Sequence, residues 1–292
     1  MKVSVGIPTY NDRETIGELL ASILKQERNN FELSEIIVVN DGSTDGTGVV
    51  CEEMAESSDS IRLIHLSKNE GKANALNIIF REAEGEILLL FDADCAINDN
   101  KLIAKLIKPF KCRKRLGLVS GWFRHKRPKK PNLIERRYFF HNSALLKFNR
   151  ENKTFLAANG RIMAISKNLY SRIHIPRKTI GTDAFLYFYC LSEGFDFLFN
   201  ENALIETVLG ARHFSDMIKY RKRAIESYRD KTLRFGPVAQ KEFEKAISLF
   251  LKQCLKECVE NPIEGINFIL VEFIALVLTM FSREKITVLW RR

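Results

Sequence analysis

The chain has 292 residues, 46% of them hydrophobic, which is enough apolar material for one large buried core and an additional helical segment. There are 46 lysines and arginines and 36 aspartates and glutamates, so the net charge is +10. This composition excludes a largely disordered chain, and we find no internal repeat or low-complexity tract.

Strand and helix patterns alternate along the N-terminal part of the chain. Residues 3–7 alternate as a strand does, and residues 16–24 carry apolar side chains at helical spacing. Further strands are predicted at residues 35–40, 61–66 and 88–91, with a helix in each interval. This order predicts a parallel sheet with right-handed crossovers and helices on both faces.

An apolar run at residues 88–91 ends in two carboxylates, Asp92 and Asp94. Such a run is typical of a buried parallel strand, and ligands bind at the carboxyl ends of these strands. Paired carboxylates suit Mg²⁺ or Mn²⁺, which complete their coordination shell with water and substrate phosphates. The pair therefore points to a nucleotide diphosphate. For an isolated Asp-x-Asp, two solvated carboxylates in a turn are the alternative.

Three more motifs accompany this pair. In chain order the four are Pro8-Thr9-Tyr10-Asn11, residues 41–45 (DGSTD), Gly71-Lys72-Ala73 with Asn77, and Asp92-Ala93-Asp94. In order and spacing they resemble the nucleotide-sugar domain of family 2 glycosyltransferases with the GT-A fold. The resemblance implies an α/β catalytic domain over residues 1–215, with a Rossmann-like, mostly parallel sheet flanked by helices. It leaves residues 216–292 as a helical C-terminal extension.

The resemblance assigns donor-binding roles to these motifs. Pro8, Thr9 and Tyr10 would line the base pocket, and Asp41 would accept a charge-assisted hydrogen bond from the base. Packing between sheet and helix is the alternative for Tyr10, and a turn carboxylate bonded to nearby backbone is the alternative for Asp41. Lys72 opposes the dipole at a helix start, a conflict that a bound phosphate would remove, so we expect it to face phosphate or ribose rather than solvent.

The same resemblance implies Mn²⁺ or Mg²⁺ as cofactor. Asp94 is the stronger candidate for direct coordination, and Asp92 would contact the ribose, or the metal through water, with Ala93 between them in the donor motif. His213 could complete the metal shell as a histidine does in some relatives, although a lone histidine is more often structural.

The acceptor side is expected downstream. Residues 154–165 resemble the family's acceptor-side strand, where small residues around Asn159 and Gly160 let a sugar approach the backbone. Asp183 resembles the catalytic base, although Thr182 stands where the family usually has glutamate, and a helix-capping aspartate is the alternative. As base, Asp183 would deprotonate an acceptor hydroxyl that attacks the anomeric carbon opposite the leaving nucleotide, with inversion.

Residues 216–223 depart from the family. Many membrane-bound relatives carry Gln-x-x-Arg-Trp there, and both the Gln and the Trp are missing from this chain. The departure argues against processive polymer synthesis. Arg221 or Arg223 could still face the diphosphate.

Positive charge is concentrated in two regions. Residues 111–137 interleave basic and aromatic side chains, which suits an anionic membrane surface, a phosphate-bearing acceptor or, less favoured, nucleic acid, with a solvated loop as the alternative. The second region is C-terminal, where an amphipathic helix at residues 247–259 precedes a mostly apolar run at residues 263–281 and a basic tail at residues 283–292.

That apolar run is interrupted by Glu264, Asn267 and Glu272. A glutamate is costly at a bilayer centre, and the run barely reaches spanning length. We therefore expect interfacial binding or packing on the catalytic domain ahead of a transmembrane helix.

The N-terminal sequence and the cysteine spacing predict the cellular location of the protein and the state of its thiols. Strand residues begin at Lys2 without a secretory signal pattern, so we expect a cytoplasmic location at the inner face of the cell membrane. The six cysteines include no Cys-x-x-Cys pair and are expected to be free thiols rather than disulfides or zinc ligands.

The leading hypothesis is an inverting, metal-dependent glycosyltransferase that moves a sugar from a nucleotide-diphosphate donor to a saccharide or lipid-linked acceptor. Three alternatives stay open. They are a polyprenyl-phosphate glycosyltransferase, a catalytically silent nucleotide-sugar binding module, and a basic membrane- or nucleic-acid-binding protein.

Overall fold

The computed structural model describes residues 1–152, 154–207 and 213–282, so the basic tail predicted at residues 283–292 lies outside the described residues. In chain order the elements are β1 (Lys2–Thr9), α1 (Ile16–Leu24), β2 (Glu32–Asn40), α2 (Thr47–Glu56), β3 (Ile61–His65), α3 (Lys72–Glu82), β4 (Ile87–Phe91), β5 (Cys95–Ala96), α4 (Leu102–Ile107), a 3-10 helix (Lys108–Lys111), β6 (Leu116–His125), α5 (Leu133–Glu151), a 3-10 helix (Phe155–Ala157), β7 (Ile162–Ser166), α6 (Lys167–Tyr170), α7 (Thr182–Ser192), β8 (Asp196–Thr207), α8 (Phe214–Glu260) and α9 (Pro262–Phe281).

These elements form two compact units. The first unit contains residues 1–124 and 158–207, and the second contains the described residues of 125–157 and 213–282. The helical extension predicted at the C-terminus is present, and residues 125–157 group with its helices. The family resemblance predicted that this segment belongs to the catalytic domain, over residues 1–215.

The first unit is built on an eight-stranded sheet with the order β3-β2-β1-β4-β7-β6-β8-β5. β1 pairs in parallel with β2 and β4, and β2 pairs in parallel with β3. β7 is antiparallel to β4 and to β6, and β5 is antiparallel to β8. The predicted α/β class and parallel N-terminal strands are confirmed, and the antiparallel entry of β7 makes the complete sheet mixed.

Burial explains why the N-terminal strands have so little polar character. All five residues of β4 are buried, as are seven of the eight residues of β1, and strands covered on both faces need apolar side chains at successive positions. In α1, the apolar stripe is fully buried at Ile16, Leu19, Leu20 and Ile23. Each such side chain contributes about 1.5–3 kcal/mol to folding when fully buried.

The order in which successive strands are added to the sheet reverses beside β1. From β1 the chain passes to β2 and β3 on one side, and it then returns to place β4 on the other side of β1. In sheets of this type, ligands bind outside the carboxyl ends of the strands at such a reversal. The loops after β1, β2 and β4 therefore define where a site is expected.

The second unit is helical. α8 changes direction at Gly236 (φ +64°), directly before Pro237. α5, α8 and α9 share a small core in which Ile134, Met217, Val271 and Ala275 are buried together.

Two glycines provide a stability test for the turn after β2. Gly42 and Gly194 both have left-handed backbone, with φ of +71° and +77°, but a Cβ on Gly42 would lie 2.4 Å from the Lys68 carbonyl carbon, whereas a Cβ on Gly194 would meet nothing within 4 Å. We expect Gly194→Ala to cost about 1–2 kcal/mol through backbone strain alone. Gly42→Ala should cost clearly more, as measured by urea unfolding. Equal losses would mean that the turn relaxes freely.

Candidate active site

Asp41, the first residue after β2, is fully buried. Its Oδ1 accepts a hydrogen bond from the Glu70 backbone N–H and its Oδ2 accepts one from the Gly71 N–H, both at 2.8 Å. Burial raises the pKa of the Asp41 carboxyl, and the two backbone hydrogen bonds oppose that rise. The carboxylate thus fixes the turn that immediately precedes Lys72 at the start of α3.

Lys72 and Asp92 are brought together from different loops. The Lys72 Nζ contacts the Asp92 Oδ1, and both side chains are only partly exposed, at 24% and 21%. Asp92 is the first residue after β4, and its backbone N–H donates to the Arg161 carbonyl at 3.1 Å. The end of β4 is therefore tied both to the start of α3 and to the segment entering β7.

Lys72, Asp92 and Asp183 line one small cavity. Pro8 and Gly160 also contribute to its wall. Asp183 lies in the first turn of α7, and a Cβ placed on Gly160 would be 3.2 Å from the Asp183 Cβ, so the glycine permits this close approach. A cation and two carboxylates from three separate segments thus share one cavity.

The loop after β1 is organised by a residue that the sequence analysis did not single out. The Thr9 hydroxyl and the Tyr10 N–H both donate to the Asp12 Oδ2, at 2.9 and 3.0 Å, and the Asp12 N–H donates to the Thr47 Oγ1 at 2.8 Å. Thr9 is buried and Tyr10 is half-buried. An aspartate just after the Tyr10-Asn11 turn was the available signal for this role. The base-pocket roles of Pro8, Thr9 and Tyr10 stay predictions, as does that of Asp41.

Beyond Asp92, the acidic motif alternates in burial. Ala93 is fully buried, Asp94 is half-buried, and Cys95 is buried again. Burial, followed by the charges of Asp92 and Asp94, raises the pKa of the Cys95 thiol well above its usual range, so this cysteine packs as a neutral side chain. Within the described residues, no group of three or more His, Cys, Asp or Glu side chains is placed to hold a metal ion, so the acidic motif offers at most its two carboxylates.

Asn159 and Arg161 organise the segment that enters β7. The Asn159 N–H donates to the Ser120 Oγ at 2.9 Å, and its Oδ1 accepts from the Arg161 N–H at 3.2 Å. The Asn159 Nδ2 is buried and has no hydrogen-bond partner in the described part of the chain. The Arg161 guanidinium lies 4.7 Å from the centroid of the Phe123 ring. Arg161 was not predicted, because a single arginine in a strand carries no distinctive signal.

The remaining candidates belong to the second unit. His213 is exposed at the start of α8, and its N–H donates to the Asp216 Oδ2 at 3.0 Å. Arg221 is ion-paired with the Glu272 carboxylate and also donates to the Glu272 carbonyl at 3.0 Å, whereas Arg223 is exposed. Their predicted roles at a metal or a diphosphate stay predictions.

The raised pKa of Asp41 predicts a pH dependence of stability. A carboxyl whose pKa is higher in the folded than in the unfolded chain binds protons more tightly when folded, so its contribution to stability falls as pH rises through the two pKa values. The free energy of unfolding of the wild type, relative to Asp41→Asn, should therefore be larger just above pH 4 than at pH 7. Paired denaturant titrations measure this difference, since the other carboxyls are common to both proteins. A difference that grows with pH would contradict the assignment.

Both the sequence and the fold of this chain are similar to those of known glycosyltransferases. The family model described as "Glycosyl transferase family 2" matches residues 4–172. Poly-beta-1,6-N-acetyl-D-glucosamine synthase from Staphylococcus epidermidis is 36% identical over 119 residues, which make up 41% of this chain and 28% of that protein. The synthase of the same name from Staphylococcus aureus strain COL is 37% identical over 112 residues, 38% of this chain and 26% of that protein. The matched region thus spans little more than a quarter of these curated relatives.

Two solved structures share the fold. Mannosyltransferase PcManGT from Pyrobaculum calidifontis, in complex with GDP-Man and Mn²⁺, has a TM-score of 0.67 at 20% identity and covers 97% of this chain and 88% of its own. Glucosyl-3-phosphoglycerate synthase from Mycobacterium tuberculosis, in complex with Mn²⁺, UDP and glucosyl-3-phosphoglycerate, has a TM-score of 0.56 at 17% identity and covers 80% of each chain. At these identities the likeness shows the fold alone, and it confirms the predicted GT-A architecture. With more than half of its length matched by the family model, this chain belongs to glycosyl transferase family 2.

Proposed function

We propose that the chain transfers a sugar, with inversion, from a nucleotide-diphosphate donor to a hydroxyl of a saccharide or lipid-linked acceptor. The single observation that carries the proposal is that Lys72, Asp92 and Asp183 line one cavity at the carboxyl end of β4. A cation suits the donor phosphates, and a separate carboxylate suits proton removal from the acceptor. Both are needed for transfer, whereas a pure binding module has no use for the second.

On the donor side, the loop after β1 would bind the base through Pro8, Thr9 and Tyr10. Asp41 supports this side by holding the turn before Lys72. A contact between Asp41 and the base would use the lone pairs that its two backbone hydrogen bonds leave over. The Lys72 Nζ contacts Asp92, and a bound diphosphate would offer it additional negative oxygens.

The acidic motif fits Mn²⁺ or Mg²⁺. Asp92 and Asp94 supply two hard oxygen ligands one residue apart, both partly accessible, which suits ions that take one or two protein carboxylates and leave other positions to water and phosphate. A bound ion would neutralise charge on the departing diphosphate. The Mn²⁺ in the two solved relatives supports this assignment. His213 stays a candidate third ligand, and Arg221 and Arg223 stay candidates for contact with the diphosphate; Arg221 is ion-paired with Glu272, and Arg223 is exposed.

Asp183 would act as the base. Its carboxylate would take the proton from the acceptor hydroxyl while that oxygen forms a bond to the anomeric carbon and the bond from this carbon to the nucleotide diphosphate breaks. Gly160 lets Asp183 lie close to the backbone of the segment that enters β7, where we expect the acceptor sugar. The buried Asn159 Nδ2 lacks an acceptor in the described residues, and a sugar hydroxyl could supply one.

The acceptor and the location are also proposals. The names of the staphylococcal relatives support a saccharide acceptor. Within the described residues, one helical stretch, Pro262–Met280, is long and apolar enough to cross a membrane, with a mean hydropathy of 2.0. We therefore propose that the enzyme works at the cytoplasmic face of a membrane, where lipid-linked acceptors are available.

The base and metal roles are tested by Asp183→Asn and Asp94→Ala, with Asp59→Asn as a matched control because Asp59 is exposed on the first unit. With a hydroxyl acceptor and Mn²⁺, Asp183→Asn should lower kcat by about 10²–10⁴-fold, the usual worth of a general base, while donor binding persists. Asp94→Ala should weaken activation by Mn²⁺, and Asp59→Asn should change neither. The readout is release of nucleoside diphosphate across a panel of nucleotide sugars.

Two outcomes would favour a different function. A polyprenyl phosphate is already ionised at neutral pH, so substantial activity of Asp183→Asn with that acceptor alone would favour a polyprenyl-phosphate glycosyltransferase. Wild-type protein that binds donors and turns over none of them would indicate a catalytically silent module.

A further inference from the structure

Both glutamates and the one asparagine of α9 make polar contacts inside the second unit. Glu264 accepts hydrogen bonds from the Arg136 guanidinium at 3.0–3.2 Å, and Glu272 is ion-paired with both Arg137 and Arg221. The Asn267 Nδ2 donates to the Leu133 carbonyl at 3.0 Å. These three interruptions of the apolar run therefore lie on one face of α9, directed at α5 and α8.

The opposite face of α9 is apolar and exposed. Ile266, Phe273 and Met280 are 69%, 64% and 75% exposed and lie seven residues apart, so they share one side of the helix. Glu264 and Glu272 are the charged residues of α9 by sequence, and both lie on the inward face. The outward face thus combines large apolar side chains with no charge.

α8 also carries an exposed apolar stripe, and lysines lie beside it. Ile247, Leu251, Leu255 and Val259 repeat every four residues and are 47%, 57%, 64% and 83% exposed. Lys252 and Lys256, each one position further along, are exposed beside the stripe. An apolar stripe bordered by lysines is typical of helices that lie in a membrane interface.

The two units differ in net charge. The described residues of the second unit include nineteen lysines and arginines and eleven aspartates and glutamates, a surplus of eight positive charges, whereas the first unit has twenty-one basic and twenty-four acidic residues. Among the described residues, the basic surplus therefore lies in the unit that carries the exposed apolar helices. An anionic lipid surface complements both properties, while a second copy of this chain would bring like charge to the same face.

We infer that α9 and the exposed stripe of α8 seat the second unit in one leaflet of an anionic bilayer, with α9 in the plane of the membrane rather than across it. If α9 spanned the membrane, Glu264 and Glu272 would enter the lipid either unpaired or together with their arginine partners. Both alternatives are costly in free energy. Lying in the plane keeps every ion pair and buries only the apolar face. This inference deepens the proposed membrane location and does not depend on catalysis.

Depth measurement tests the orientation directly. Tryptophan is introduced singly at Ile266, Phe273 and Met280 in the full chain, and its quenching by brominated lipids in phosphatidylglycerol-containing vesicles is read as the difference from the unsubstituted protein. An in-plane helix predicts the same shallow depth at all three positions. A spanning helix would separate successive positions by about 10 Å along the helix axis, since seven residues rise 1.5 Å each. Unequal depths of that size, or no quenching at any position, would overturn the inference.

Binding to vesicles tests whether an anionic membrane, rather than a second copy of the chain, covers this apolar face. Leu251→Glu combined with Leu255→Glu should weaken co-sedimentation with anionic vesicles at least tenfold, and Lys252→Glu combined with Lys256→Glu should weaken it while leaving the residual binding less sensitive to salt. The control is Val49→Glu, a 56% exposed apolar residue of the first unit, which should change nothing. A soluble dimer that Phe273→Glu dissociates, without vesicle binding by the wild type, would assign the face to a second copy and overturn the inference. Nucleotide-sugar turnover is measured separately. An absence of transferase activity can therefore be distinguished from an absence of membrane binding.

Discussion

The buried carboxylate of Asp41 is the constraint on which the proposed donor side of the site depends. It accepts the N–H groups of Glu70 and Gly71, and the next residue, Lys72, reaches Asp92 at the end of β4. One side chain therefore links the loops after β2 and β4 through the turn before α3. Keeping an ionised group fully buried is unfavourable, as its raised pKa indicates, and the two backbone hydrogen bonds offset part of that cost.

The sheet explains why these loops meet. Parallel β1, β2 and β4 end at the same edge, and the chain reverses beside β1, so side chains far apart in sequence become neighbours there. β7 then pairs antiparallel with β4 and brings the segment with Gly160 to the same edge, next to Asp183. The groups proposed for the donor side and for the acceptor side thus come from independent segments, which allows each to vary while the sheet is kept.

The sequence was sufficient for local features and insufficient for distant pairings. Alternation and apolar runs identified β1 to β4 and α1 to α3, and the carboxyl-end rule located Asp92 correctly. The antiparallel pairing of β7 with β4 joins segments more than seventy residues apart, and no local pattern encodes it. Likewise, Glu264 and Glu272 were predicted to oppose membrane insertion, but their partners on α5 and α8 could be found only in the folded chain. Charge counts gave the surplus of +10 and not the contrast between the two units, of which the described second unit is positive and the described first unit slightly negative.

We propose that oxygen ligands and a lysine from separate loops hold a metal-bound nucleotide diphosphate at one edge of the sheet. The most direct measurement is thermal unfolding with UDP or GDP, each with and without Mn²⁺, against the corresponding monophosphate. A ligand at one hundred times its Kd stabilises the folded chain by about 2.7 kcal/mol. We predict a rise in Tm of several degrees with one diphosphate only when Mn²⁺ is present, and no comparable rise with the monophosphate. Equal shifts with and without Mn²⁺, or none with either diphosphate, would contradict the claim.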